Sequence, residues 1–362
     1  MRWPWQRQIS GNRLIVSWSG QTLCYVLARA SAGGTHHVLK FGVEHQGSNS
    51  IEDFARKLQG LGLRGLNTKV MLRPQQYQLL QIDAPAVPPE ELRAAARYQI
   101  REMLDSHVDD VTLDVMRVGD GLQKGAGHLF VVTAANAVLR SVLDLGEAMH
   151  WSISVIDIQE TAQRNLQNAA ATRDGYADRA RALLVVVKGH QAVLTITAND
   201  ELFYSRWFEL PDGFMTAPWA RMSVPAATSA DSGAALTLMD EYVPEHGQHD
   251  LTYGDDLAGN SVAPQEPFAA DDDKTQRLLV EVQRSLDVWE RTWSNLPLHS
   301  LRVYAGERSD ELAKWLSAQI GLDVTPMALG GLFTGMEGGS ADDRARCLPL
   351  LGVLMRTEST KL

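Results

Sequence analysis

Cysteine is nearly absent, long apolar runs are missing and positive charge is outweighed; each shortage excludes a class of protein. Only Cys24 and Cys347 occur in 362 residues, both within apolar stretches, so they read as two buried thiols in a reducing compartment rather than as a disulfide framework. No stretch approaches the roughly 20 apolar residues that span a bilayer. The opening Met1-Arg2-Trp3-Pro4-Trp5-Gln6 lacks the apolar core of a signal peptide, and its two tryptophans read as a frayed terminus. A cytoplasmic chain is expected, reaching a membrane through a partner and not by direct insertion. The formal charge of -10 leaves no basic surface for a nucleic acid or an anionic lipid.

Catalytic signatures are missing too. There is no Gly-x-Ser-x-Gly elbow, no Gly-x-x-x-x-Gly-Lys-Ser/Thr loop, no His-Glu-x-x-His and no Cys-x-x-Cys. His36 and His37 are neighbours on a strand, so they point to opposite faces and read as an exposed edge pair. Glu245, His246, His249 and Asp250 match no metal-ligand spacing and read as solvated loop, so no metal is expected.

Apolar residues make up 44% of the chain, enough for two lobes with separate cores. The opening reads as a three-stranded meander, Leu14 to Trp18, Leu23 to Arg29 and His37 to Val43, separated by Ser-Gly and Gly-Gly turns. A helix from Ile51 to Leu58 follows, capped by Ser50, then a strand from Thr68 to Leu72. Residues 77–134 read as an inserted α/β unit whose helix, Glu90 to Leu104, follows Pro88 and Pro89 and carries a stripe of Leu92, Ala95, Ala96, Ile100 and Met103. A helix from Ala137 to Met149, a strand from Ile153 to Ile158 and a helix from Glu160 to Ala170 complete the first half.

At Ala182 the pattern restarts, with strands at Leu183 to Val187, Ala192 to Thr197 and Leu202 to Phe208. This echo at a distance of about 170 residues is the mark of a duplicated fold. Residues 213–274 interrupt it. They hold eleven Asp and Glu against two Lys and Arg and are rich in Ala, Ser, Pro and Gly, so they read as a mobile insertion. Asp271 to Asp273 then stand before a helix expected over Thr275 to Trp293. A strand from Leu301 to Ala305, a helix from Asp310 to Ile320, a short strand from Asp323 to Pro326 and a last helix over Leu348 to Met355 close the chain.

Several segments in this order resemble one family. Pro88-Pro89-Glu90-Glu91-Leu92-Arg93-Ala94-Ala95-Ala96-Arg97-Tyr98-Gln99-Ile100, Leu279 to Asp287, Val303-Tyr304-Ala305-Gly306-Glu307 and Leu348-Pro349-Leu350-Leu351-Gly352 resemble elements of the type IV pilus assembly proteins PilM and MshI. The resemblance covers residues 12–210 and 275–356 and leaves the acidic insertion unmatched. It is nearer to the MshI (MSHA biogenesis) branch, because the first meander lacks the acidic nucleotide signature of PilM. It implies an α/β, actin-like two-lobed fold related to FtsA: a first lobe over 1–170 with an inserted subdomain at 77–134, and a second lobe over 178–362. It also implies a cytoplasmic position under an inner-membrane pilus complex.

Actin-like ATPases set two hairpin turns against the nucleotide phosphates and hold magnesium through aspartates. On the family pattern Ser17 and Val187 stand where aspartates are expected, and the adenosine-side glycine pair is reduced to Ala305-Gly306. A degenerate nucleotide site over Ser19, Gly20, Gln21, Thr22, Lys188, Gly189 and Gly306 follows, with weak ATP binding at most and no catalytic residue or required cofactor. The resemblance implies a scaffold, not an enzyme, that binds the cytoplasmic N-terminal segment of a bitopic inner-membrane pilus protein, with the assembly ATPase as a further candidate partner. Arg97, Tyr98 and Arg101, flanking the subdomain's apolar stripe, are the candidate contacts. A divergent ATPase in which Lys188 touches phosphate is the alternative; the cytoplasmic half of a secretion-system L-type protein is a third reading with the same fold.

Overall fold

The structure is a computed structural model and describes residues 11–30, 35–104, 106–119, 127–187, 189–219 and 268–356. Strands β1 (Asn12–Trp18), β2 (Thr22–Ala30) and β3 (His36–His45) form an antiparallel meander. Helix α1 (Ile51–Gly60) leads to β4 (Asn67–Met71), which lies parallel to β1. Ser50 caps α1 as expected, its hydroxyl accepting from Asp53 N–H at 3.1 Å. The chain then leaves the sheet for β5 (Gln78–Asp83), α2 (Leu92–Gln99), β6 (Val111–Val118) and β7 (His128–Ala135), a separate antiparallel sheet ordered β5-β7-β6. It returns through α3 (Asn136–Ala148) to β8 (Ser152–Asp157), parallel to β4, and ends the half with α4 (Gln159–Arg173).

The second half repeats the plan. An antiparallel meander of β9 (Ala180–Val187), β10 (Gln191–Ala198) and β11 (Glu201–Glu209) is followed by α5 (Phe268–Thr292), β12 (Leu298–Tyr304), α6 (Ser309–Ile320), β13 (Val324–Pro326), β14 (Phe333–Thr334) and α7 (Ala341–Leu354). The first sheet is ordered β14-β3-β2-β1-β4-β8 and the second β11-β10-β9-β12-β13. Apart from β14, strand order and direction are the same in both lobes. The echo read in the sequence is therefore a duplication of topology.

Strand alternation divides each sheet into two faces. Leu14, Val16 and Trp18 pack outward with Phe54 and Leu58 of α1 and Val142 and Leu145 of α3. Ile15 and Val26 face inward, into one core with Leu183, Val185 and Val193 of the second lobe. Between the inner faces lie α4 and α7, exchanged: α4 packs on β9, β10 and β11, and α7 on β1, β2, β3 and β4. They cross at Gly352, where an added Cβ would stand 2.0 Å from the carbonyl oxygen of Ala162.

The inserted subdomain packs Ala96 and Ile100 on Leu113, Leu129 and Val131, and Leu92 is buried at the start of the same helix. Its helix is shorter than expected, because the chain tightens to a 3-10 turn over Ile100–Glu102. Three residues per turn instead of 3.6 carry Met103 off the apolar stripe, and it is 48% exposed. The subdomain also rests on the second lobe: Gly119 (φ 63°) packs on Trp293, and its N–H donates to Glu201 Oε2 at 3.1 Å.

Three other expectations need correction. Helix α5 begins at Phe268, so Asp271 to Asp273 lie within it and not ahead of it. The expected insertion also starts too early, since Phe214 and Trp219 are fully buried with their rings tilted together at 5.1 Å. Arg308 lies 3.7 Å from the Trp219 ring and donates to Ala217 O at 2.7 Å. Residues 220–267, with Glu245 to Asp250, lie outside the described residues, as do Trp3 and Trp5. Finally, His36 and His37 are not at an edge: β14 pairs with β3 there, Phe333 stacks on His36 at 6.0 Å and His37 Nδ1 meets Thr334 Oγ1 at 2.9 Å.

Candidate functional site

Between the lobes three turns open onto a cleft of about 520 Å³ lined by Ser17, Val187, Gly189, Gly306, Gln159 and Arg73. Ser17 reaches it because it shares the inward face of β1 with Ile15. Gly189 (φ 77°) and Gly306 (φ 61°) take left-handed turns after β9 and β12 that a side chain would strain. Of the residues the sequence singled out for this site, Gly189 and Gly306 line the cleft. Lys188 lies outside the described residues.

The first turn behaves differently. Ser19, Gly20, Gln21 and Thr22 do not line the cleft; the flanking Ser17 and Cys24 do. The turn is closed on itself, with Ser19 N–H donating to Thr22 O and Thr22 N–H to Ser19 Oγ, both at 3.1 Å. Thr22 Oγ1 meets His45 Nδ1 at 3.0 Å. The Ser19 and Thr22 amides are spent, and Arg73 Nη2 fastens the turn from below by donating to Thr22 O at 2.9 Å.

Carboxylates near the cleft are engaged. Asp342, the one acid in its lining among the described residues, accepts from Arg346 Nε at 2.7 Å. Asp157 is buried, and its Oδ1 meets Arg356 at 3.0 Å and accepts from Ile158 N–H and Thr161 Oγ1, while its Oδ2 has no hydrogen-bond partner among the described residues. Glu160, next to Gln159 at the start of α4, is buried under two donors: Tyr77 O–H reaches Oε2 at 2.5 Å and Trp207 Nε1–H reaches Oε1 at 2.8 Å. Burial raises its carboxyl above the ordinary range, opposed by those two hydrogen bonds. Tyr77 leads into the subdomain, Glu160 is on the interlobe helix and Trp207 is on β11, so one carboxylate ties three parts of the fold. Among the described residues no group of three or more His, Cys, Asp or Glu could hold a metal ion.

The candidate partner surface separates into two kinds of residue. Tyr98 is 77% exposed and Arg101 is exposed, as a contact surface requires. Arg97 is turned inward, its guanidinium donating to Val108 O at 2.6 Å and Val111 O at 3.4 Å, and it fixes the entry to β6. Sequence reasoning missed Arg73, Gln159 and Glu160. The only local hint was the strand-to-helix junction at Ile158, where polar residues follow an apolar strand directly.

No family model and no curated protein matches this chain. Among solved structures it is similar to a chain of a PilM–PilN type IV pilus biogenesis complex, at 15% identity and a TM-score of 0.59, over 94% of this chain and 96% of that one. It is also similar to a Bacteroides thetaiotaomicron protein of actin-like ATPase fold and unknown function, at 9% identity and a TM-score of 0.47 over 96% and 97% of the two chains. The cytoplasmic domain of EpsL, an inner-membrane component of the Vibrio cholerae type II secretion system, matches at 14% identity and a TM-score of 0.39 over 62% and 79%. The fold is thus the actin-like two-lobed α/β fold with an inserted small α/β subdomain. Among the described residues no helix is long and apolar enough to cross a membrane.

Proposed function

We propose that this chain is a cytoplasmic scaffold for the inner-membrane platform of a type IV pilus of the MSHA type, and that it does not hydrolyse ATP. The observation that carries the reading is the state of the carboxylates: among the described residues Ser17 and Val187, neither an acid, line the cleft, and Asp342 in its lining is paired with Arg346. An actin-type reaction needs carboxylates to hold the water shell of a divalent cation. Its full-length likeness to a chain of a pilus biogenesis complex supports the assembly role. The partner in this reading is the cytoplasmic N-terminal segment of a bitopic pilus protein, docked beside the subdomain at Tyr98 and Arg101, with the assembly ATPase as a second partner.

The test pairs phosphate release with calorimetry, in ATP and magnesium, using Lys188→Ala as control. The expected result is no magnesium-dependent turnover above background and an ATP affinity no tighter than about millimolar, roughly 4 kcal/mol. Turnover abolished by Lys188→Ala overturns the scaffold reading in favour of a divergent ATPase.

A further inference from the structure

The two cysteines belong to one core between the lobes, yet only one of them meets the cleft. Cys347, on α7, is 0% exposed, with its sulfur 3.5 Å from Gly42 O and 3.7 Å from Tyr25 O. Burial pushes its thiol up to a pKa of about 12. Cys24, on β2, lines the cleft, and Arg73 Nη2 lies 3.5 Å from its sulfur. The thiolate is the reactive form of cysteine, and a guanidinium in contact with the sulfur stabilises negative charge there.

The surroundings of Cys24 hold more donors than a thiol can use. Ser17 stands directly opposite Cys24 across β1 and β2, which sets both side chains on one face with Cβ atoms about 5 Å apart. Ser17 is 2% exposed, and its Oγ has no hydrogen-bond partner among the described residues. Gln159, also 2% exposed, lines the same cleft and leaves Nε2 without a partner. Buried donors are ordinarily satisfied, because an unpaired one keeps its desolvation cost. A thiol sulfur is a weak acceptor. A sulfur that has gained oxygen is a strong and negatively charged one, matched to two waiting donors and a guanidinium.

We infer that Cys24 is a modification site, oxidised by hydrogen peroxide in the cleft to a sulfinate whose oxygens are held by Ser17, Gln159 and Arg73. In the first step the Cys24 thiolate attacks one peroxide oxygen: an S–O bond forms, the O–O bond breaks, sulfur gives up two electrons, and the hydroxide that leaves takes a proton to become water. The sulfenate then repeats the attack on a second peroxide, and the products are sulfinate and water. A sulfenic acid beside a reactive thiol ends as a disulfide instead. Cys347 does not serve as that thiol, because it is sealed and kept protonated by burial. Arg73 Nη2 also donates to Thr22 O at 2.9 Å, so the oxidised sulfur and the first turn share one guanidinium.

The experiment treats the full chain, reduced and then freed of reductant, with hydrogen peroxide in the presence and absence of dimedone, and reads the peptides holding Cys24 and Cys347 by mass spectrometry. The expected result is a dimedone adduct on Cys24, a gain of two oxygens there when dimedone is left out, and an unmodified Cys347. Ser17→Ala is expected to slow the second oxidation about fivefold, since it removes one donor to a charged oxygen. Cys347→Ser is expected to leave the rate at Cys24 unchanged. Cys24→Asp copies the charge of the sulfinate and is expected to melt within about 2 °C of Cys24→Ala; without donors to receive it, a buried carboxylate lowers the melting temperature by about 10 °C. Oxidation of Cys347 ahead of Cys24, a disulfide between the two, or no modification until urea unfolds the chain overturns the inference. So does oxidation of Ser17→Ala at the parent rate together with a Cys24→Asp protein that melts about 10 °C below Cys24→Ala.

Discussion

Replacing Gly352 by alanine tests the closest approach at any described glycine. An alanine Cβ would lie 2.0 Å from the carbonyl oxygen of Ala162, 2.5 Å from its carbonyl carbon and 2.8 Å from its Cα, all backbone atoms that cannot rotate away. To restore ordinary contact α4 and α7 must part by roughly 1 Å or more, and overpacking of that kind costs about 1–3 kcal/mol. The separation also breaks the 3.1 Å bond from Asn165 Nδ2 to Gly352 O and strands a buried amide, adding about 1–3 kcal/mol. Alanine returns about 1 kcal/mol of helix propensity. The clash wins, and the net loss is about 3 kcal/mol. Gly146→Ala is the matched control, because its Cβ would come nearest to the mobile end of Ile153, Cδ1 at 2.7 Å. In urea denaturation followed by tryptophan fluorescence, Gly352→Ala should lower the midpoint by about 1 M and Gly146→Ala by far less. A Gly352→Ala protein as stable as its parent would refute the close crossing of the two helices.

Glu160→Ala leaves Tyr77 O–H and Trp207 Nε1–H buried without an acceptor and should cost about 3–5 kcal/mol in the same assay, whereas Glu160→Gln, which keeps an acceptor, should cost less than half as much. Lys69 donates to Val353 O and Arg356 O at the end of α7, and burial pushes its pKa down from 10.5 to about 8. The folded chain therefore releases this proton first; between about pH 8 and 10.5 the unfolded chain holds more protons and stability should rise with pH, a slope that Lys69→Met should lack when midpoints are compared across that range. Arg97→Ala should destabilise the fold by about 1–2 kcal/mol through its lost carbonyl bonds, whereas Tyr98→Ala and Arg101→Ala should leave the unfolding midpoint nearly unchanged and weaken partner recovery.

The parts of the fold legible in the sequence are those whose two faces differ. α1 was placed from Ile51, because Phe54, Ala55 and Leu58 are buried on one face while Glu52, Asp53, Arg56 and Lys57 are exposed, and Ser50 caps it. Helix α4 was harder to read. It is buried on nearly all sides, with Gln159, Glu160, Gln163, Asn165 and Gln167 as covered as Ala162 and Leu166, so it carries almost no apolar stripe. Two of its amide nitrogens are paired across the interface, Gln163 Nε2 with Leu183 O at 3.3 Å and Gln167 Nε2 with Thr195 Oγ1 at 3.1 Å, which no local pattern announces. The two-residue β14 has no periodicity to read.

In the cleft, turn composition showed two turns without an acid, and the family resemblance alone implied that Ser17 and Val187 stand where aspartates are expected. The role of Ser19 to Thr22 was not visible, because composition does not say whether a turn's amides are already bonded to each other. Arg73 and Gln159 meet only through the fold, so no local spacing could associate them.

The exchange of α4 and α7 between the lobes governs how the chain can be made. As the polypeptide leaves the ribosome, β1 to β8 can pair and take α1 and α3 on their outer face, yet Ile15 and Val26 on the inner face wait for α7, which follows the whole second sheet. The first half must persist as a sheet with one bare apolar side, a state that invites aggregation or a holding chaperone. Severing the chain between α4 and β9 should accordingly give two pieces that fail to dissolve apart and recover a common core only when refolded together.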